Sequence, residues 1–325
     1  MKISIVDQSP IFSNSNPNIA IDDTLALAKH ADSIGLERFW VAEHHGSNSF
    51  AGCSPEILIP RLASQTESIR IGSGGVMLMH YSPYKVAENF LLLESMFPGR
   101  IDLGIGRAPG SDPYQAGALA YGSKTTGPEF FTTKMQDLRS FLLGKKSSTN
   151  SFESVEVTPG LGKPPELWLL VSSQQGAEFA AHFGLPMSLA YFINSDCLHL
   201  AKYYRDNFSP STFSKVPRIS IGIFALCAET DREANELSLS ASLWKQNMKT
   251  GKFLAFPTLK EAKEQYALGG DDEERKSLIG SKNTIQEKLQ PILEECNPEE
   301  LKIVTICEPL SSRMQSYSLL KEVFE

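Results

Sequence analysis

The residues best able to do chemistry in this chain are grouped in short clusters. Three of its six histidines, His44, His45 and His80, follow strand-like runs, and Glu43 immediately precedes the adjacent pair. Histidine titrates near pH ~6.5 in water, so a histidine at the mouth of a fold can move a proton at neutral pH. Adjacent residues at a strand end point to opposite sides, so only one of His44 and His45 can face a given pocket. The alternative for such a histidine is a loop residue hydrogen-bonded to backbone. A metal needs convergent ligands, and Glu43, His44 and His80 could supply them. No H-E-x-x-H helix or comparable spacing is present, so no metal is expected.

A second cluster is Ser172-Ser173-Gln174-Gln175-Gly176, at a strand-to-helix junction. Small residues at a helix N-terminus present free N–H groups and the positive end of the helix dipole, and the serine hydroxyls add donors. That pattern suits a phosphate, and Arg107 could add a charge-assisted fork to the same anion. A plain N-cap remains open as the other reading of this segment. The run Gly104-Ile105-Gly106-Arg107-Ala108-Pro109-Gly110 is not a dinucleotide fingerprint, because Pro109 stands where G-x-G-x-x-G requires glycine. No P-loop and no G-x-S-x-G motif occur, so NTPase and serine-hydrolase chemistry lack support.

These clusters follow runs that read as strands: Lys2–Asp7, Phe39–Ala42, Ile69–Met79, Ile101–Ile105, Glu166–Val171, Met187–Tyr191, Arg218–Cys227 and Leu301–Cys307. Helical periodicity fills the intervals. One helix is expected behind Asp22 or Asp23 as N-cap, with Gly35 as its stop. Eight strands alternating with helices predict a single α/β domain over residues 1–325, a (β/α)8 TIM barrel. A doubly wound open sheet is the competing architecture. The excess length falls in three insertions: a polar loop at 106–127, a connector with a hairpin at 147–165, and two amphipathic helices split near Pro257 at 231–276. In such barrels the working residues stand just after the strands, where the clusters lie.

Composition narrows the partners. The chain has 325 residues, 41% apolar and 21% charged, with a net charge of −7. These fractions fit a globular protein, and the acidic balance argues against nucleic acid or an anionic membrane surface. Met1–Pro10 is interrupted by Asp7 too early for a signal peptide, and no run reaches the ~18 apolar residues of a membrane span. Five scattered cysteines without C-x-x-C suggest neither disulfides nor zinc, and a cytoplasmic location is expected.

Taken together, Phe39–His45 (FWVAEHH), Ile71–Leu78 (IGSGGVML), His80–Phe90, Pro98–Gly110, Leu167–Ser173 and Gly184–Asn194 resemble, in order and spacing, the bacterial luciferase-like flavin-dependent monooxygenases. The resemblance covers residues 1 to about 200 and returns at Ile279–Leu289 and Glu300–Ile306. It implies an FMN-using barrel that receives reduced FMN from a separate NAD(P)H:flavin reductase. Through a flavin C4a-hydroperoxide and O2, such a protein oxygenates an aldehyde, an alkane or a similar small molecule. It also implies a homodimer.

The resemblance assigns His44 as the catalytic histidine and Arg107 as the flavin-phosphate arginine. Ser172, Ser173, Gln174, Gln175 and Gly176 become the phosphate loop. Glu43, Ser73 and Ala108 join the cofactor site, and Gly74-Gly75 takes the place of a non-prolyl cis peptide under the flavin. Tyr191 and His80 become the substrate pocket. Family members usually carry Ser or Thr where this chain has Gly176, and luciferase a reactive cysteine where it has Gly106. An F420-dependent oxidoreductase of the same superfamily and a non-catalytic flavin-binding protein are the alternative expectations.

Overall fold

The computed structural model of the chain describes residues 1–107, 112–145, 152, 154–159, 162–267 and 278–324. Its strands are β1 (Lys2–Asp7), β2 (Arg38–Val41), β3 (Arg70–Met77), β4 (Ile101–Gly106), β5 (Glu166–Val171), β6 (Met187–Ala190), β7 (Ile219–Cys227), β8 (Leu278–Gly280) and β9 (Glu300–Val304). All pair in parallel. The order β1 to β7 continues to β9, β9 returns to β1, and β6 pairs with β7, so eight strands close into a barrel. Most of their residues are buried on both faces, as barrel strands wrapped by helices must be. The fold is therefore the expected (β/α)8 barrel, and the open sheet is excluded.

The helices are α1 (Pro17–Ser33), α2 (Pro55–Ala63), α3 (Pro83–Met96), α4 (Pro113–Ala120), α5 (Phe131–Leu142), α6 (Gln174–Phe183), α7 (Leu200–Asn207), α8 (Asp231–Leu237), α9 (Leu239–Lys249), α10 (Leu259–Ala267), α11 (Lys282–Cys296) and α12 (Leu310–Glu322). α1 begins before the two aspartates. Asn16 caps it, its side chain accepting from the N–H groups of Asn18 and Ile19, and Pro17 takes the first helical position. The stop at Gly35 holds, with φ +72°.

Three differences from the sequence reading have local causes. The expected loop at 106–127 contains α4, because Asp112 caps it and Pro113 starts it. The 231–276 insertion begins with two short helices that break at Ser238, before a third follows Pro257. β8 is an extra strand that pairs only with the outer end of β7, outside the closed barrel. The hairpin expected at 147–165 and the end of the 231–276 insertion fall largely on residues outside those described.

The N-terminal end of the barrel is plugged by charge. The buried Arg38 guanidinium bridges Asp102 at 2.7 Å, Glu166 at 2.6 Å and Glu300 at 3.1 Å. Burial alone would raise the Glu166 carboxyl, but Arg38 and Arg218 outweigh it and hold it at about 2. Lys302 lies fully buried between the indoles of Trp40 and Trp168, its Nζ 3.5 and 3.7 Å from the two ring centres, and donates to Ser220 at 2.8 Å. The buried Arg38 is tolerated because three carboxylates pair with it. With that end filled, open space is left at the opposite end, where the strand-end clusters lie.

Candidate active site

A cavity of about 250 Å³ opens at the C-terminal ends of the strands. Glu43, His44, Gly74, Gly75, Arg107, Ser172, Ser173 and Gly176 all line it, although they come from four separate β–α junctions.

On one side β4 delivers Arg107 to the start of α6. The guanidinium donates through Nη2 to Ser173 Oγ at 3.2 Å and through Nη1 to Gln175 Oε1, and it lies 5.9 Å over the Phe179 ring. Ser173 is also the N-cap of α6, its hydroxyl accepting from the Gly176 N–H at 3.4 Å. Capping and ligand reading therefore fall on one residue. Among the described residues the partners of Arg107 are neutral, so its charge has no carboxylate against it. Gly176 packs the first turn of α6 on β5: a Cβ there would lie 3.1 Å from Val171 Cγ1. A serine at this position would meet Val171 with its first side-chain carbon, which accounts for the glycine.

Beside it, on the adjacent strand β3, lies the Gly74-Gly75 peptide, which is cis. β3 and β4 run so close here that a Cβ on Gly75 would come within 2.6 Å of the Gly104 carbonyl oxygen. Backbone alone forms this wall of the cavity.

His44, just after β2, lines the same cavity on the far side of β3 from Arg107. Its ring stacks on Phe50, centroids 4.3 Å apart, and its Nδ1 has no hydrogen-bond partner. Burial, aided by the nearby His45, pushes its pKa down to about 4, so it is neutral at physiological pH. His45 turns to Glu43, with Nε2 2.7 Å from Oε1. Glu43 is buried and held by two further donors, the Tyr81 hydroxyl at 2.6 Å and the Met77 N–H at 3.0 Å. Burial and this carboxylate keep the Tyr81 hydroxyl protonated far above its usual range.

Several expected site residues lie elsewhere. Ser73 is fully buried in the barrel wall, where its hydroxyl donates to the Gly104 carbonyl at 2.9 Å and accepts from the Gly104 N–H at 3.0 Å. It locks β3 to β4 and does not reach the cavity. Gln174 turns outward to Glu178 at 3.2 Å, and Gln175 reaches the site only through Arg107. Tyr191 packs on the main apolar core, whereas Ala190 at the end of β6 and Phe192 and Ile193 in the following turn line the cavity. His80 ends a short 3-10 turn and meets His45 edge-on at 6.3 Å, outside the cavity lining. Ala108 lies outside the described residues. Gln8, Met77, Phe131, Phe179 and Phe192 line the cavity without having been singled out; Gln8 was legible as the residue after β1. Among the described residues no three His, Cys, Asp or Glu side chains group to hold a metal ion. No described helix is long and apolar enough to cross a membrane.

A closed parallel barrel with its cavity at the C-terminal strand ends defines an enzyme-type TIM barrel. The family profile of the luciferase-like monooxygenases matches residues 1–295, and the chain belongs to that family. It is 32% identical to the N-acetyl-S-alkylcysteine monooxygenase of Bacillus subtilis, over 99% of this chain and 98% of that protein. It is 34% identical to the crystal structure of apo-MsnO8, with a TM-score of 0.91 over 99% of this chain and 98% of the other. Two more distant structures share the fold alone. One is the oxygenating constituent of 3,6-diketocamphane monooxygenase from Pseudomonas putida with FMN (18% identity, TM-score 0.76, 99% and 97% covered). The other is an F420-dependent secondary alcohol dehydrogenase (12% identity, TM-score 0.67, 100% and 99% covered).

Proposed function

We propose that the protein is an FMN-dependent monooxygenase that oxygenates a small organic substrate with O2. The observation that carries this reading is that an anion-binding corner, a backbone wall and His44 all line one cavity at neighbouring strand ends. The donor set fits FMN. Arg107, the Ser173 hydroxyl and the first-turn N–H groups of α6 supply charge-assisted bonds for one phosphate. The Gly74-Gly75 backbone and the apolar walls offer a flat, dry surface for the ring. The longer acidic tail of F420 calls for more cations than Arg107, the one Lys or Arg among the lining residues described. FMN is therefore preferred.

When bound in reduced form, FMN supplies the electrons that split O2 between substrate and water. The chain's own residues then have separate tasks. Arg107 and Ser173 hold the phosphate. The walls formed by Phe131, Phe179 and Phe192 exclude water, which protects a reactive site. His44, kept neutral, can accept a proton or donate a hydrogen bond at Nδ1, which has no hydrogen-bond partner among the described residues. Glu43, with His45, Tyr81 and the Met77 N–H, braces the turn that carries His44. Reduced FMN would come from a separate NAD(P)H:flavin reductase, and a homodimer is the assembly carried by this reading. The N-acetyl-S-alkylcysteine monooxygenase makes thioethers a reasonable first substrate panel.

The test is a titration with FMN followed by photoreduction under 18O2 with that panel. Micromolar binding and one labelled oxygen in the product are expected. Absence of binding would overturn the reading, and binding without label would leave a flavin carrier in its place.

A further inference from the structure

A second, smaller chamber of about 50 Å³ adjoins the candidate active site. Phe224 on β7, Ile306 beyond β9, Ala241 and Trp244 on α9, and Phe256 form its walls. Two ring contacts tie it to the first cavity. Phe192 of the first cavity meets Phe224 edge to face, with centroids 5.3 Å apart. Phe50, stacked on His44, meets both Trp244 and Phe256 at 5.6 Å. Trp244 and Phe256 stack on each other at 4.6 Å, and the Trp244 indole N–H donates to Ser49 at 2.9 Å, which ties α9 down over the barrel mouth. Phe50 and the wall rings Trp244 and Phe256 therefore stand between His44 and the chamber, and the Phe192–Phe224 pair stands between it and the first cavity.

We propose that this chamber is the subsite for a short alkyl terminus of the substrate, with Ala241 and Trp244 setting the chain length accepted. The proposal rests on reading the first cavity as the flavin and oxygenation site. Size argues for a short aliphatic end. A cavity of ~150 Å³ lined by apolar side chains admits benzene, and this one has a third of that volume. Chemistry argues for an uncharged end. The walls are aromatic and aliphatic. Its polar liners are Ser238, Ser242 and Lys245; the Ser238 hydroxyl already donates to the Asn235 carbonyl at 2.7 Å, and the Lys245 ammonium lies on the Phe224 face at 4.9 Å. Each methylene moved from water into such a chamber raises affinity about fourfold until the space is filled. A tail that runs from His44 past these rings enters an apolar recess whose walls measure its length.

The experiment uses n-alkyl methyl sulfides, ethyl to octyl, as probes. Their binding is followed calorimetrically and through tryptophan emission, with and without oxidised FMN. For the unsubstituted protein, affinity climbs about fourfold per methylene and then stops climbing at one chain length. Ala241→Leu, which fills the chamber, moves that break to shorter chains. Trp244→Ala, which enlarges it, moves the break to longer ones. FMN affinity stays unchanged in both. A break that stays in place in both variants overturns the proposal, as does tighter binding of probes ending in carboxylate than of methyl-ended probes of equal length. The FMN-free series keeps the two readings apart: loss of FMN binding counts against the flavin site, and an unmoved break counts against the chamber.

Discussion

His44 lies face to face with Phe50, their ring centroids 4.3 Å apart and their planes 24° from parallel. The stack covers one face of the imidazole with hydrocarbon. It fixes the ring against the wall of the cavity and helps exclude the water that would solvate an imidazolium. Phe50 in turn leans on Trp244 and Phe256, so the barrel-mouth residues that cover the chamber also set the environment of the histidine.

The first prediction concerns this residue. A pKa near 6.5 in the unfolded chain and about 4 in the folded one means the unfolded chain holds more protons between those values. Stability therefore falls as pH drops from about 6.5 towards 4 and levels off below. His44→Asn flattens that slope in denaturation curves at pH 5 and 7. The same variant keeps its FMN affinity and loses turnover about 100-fold. Between pH 5.5 and 8, wild-type kcat shows no limb from His44; a limb at 6.5 that disappears in His44→Asn would contradict its burial as a neutral ring.

Arg107→Ala separates phosphate recognition from ring binding. Loss of a hydrogen bond to a charged group costs about 1.5–3 kcal/mol, so FMN affinity should drop roughly 10- to 100-fold. Riboflavin, which lacks the phosphate, should lose little. Flavin fluorescence quenching reads both, and equal losses would move the phosphate away from Arg107.

Gly74 and Gly75 should not tolerate alanine equally. A methyl on Gly75 meets the Gly104 backbone at 2.6 Å, whereas one on Gly74 first meets Trp40 side-chain atoms at 3.2 Å. Gly75→Ala should cost about 1–3 kcal/mol by overpacking, and Gly74→Ala less. Urea denaturation of the two variants ranks them, and a reversed order would refute the close β3–β4 contact.

Lys302 makes a prediction at alkaline pH. Burial pushes its pKa down from 10.5 to about 7. Between those values the unfolded chain carries the extra proton, so the stability of the protein rises with pH across that window. Lys302→Met lacks this slope. Measured at pH 7, 8.5 and 10, the wild type should gain on the variant; parallel curves would mean that Lys302 stays charged between its indoles.

Much of this protein is written locally. The β–α alternation, Ser173 as a cap, Asn16-Pro17 and Asp112-Pro113 as helix starts, and Gly35 as a stop each depend on neighbours a few residues away. Such signals are local, although the sequence reading places the α1 cap at Asp22 or Asp23 and a loop over Asp112-Pro113, and in a parallel barrel they point to the strand ends where polar residues collect. So His44, Arg107 and Ser173 are legible as one group, and all three line one cavity although more than 120 residues separate the first from the last. Ser73 and Tyr191, expected beside them, do not line it. Which side of a strand end faces the cavity is a matter of register, and one residue of rotation exchanges a cavity wall for a packed interface. The neutrality of His44, the pairing of Glu43 with Tyr81, the Lys302–tryptophan sandwich and the alkyl-sized chamber come from contacts between distant segments. Burial and dielectric are properties of the packed whole, so those features exist only once the barrel has closed.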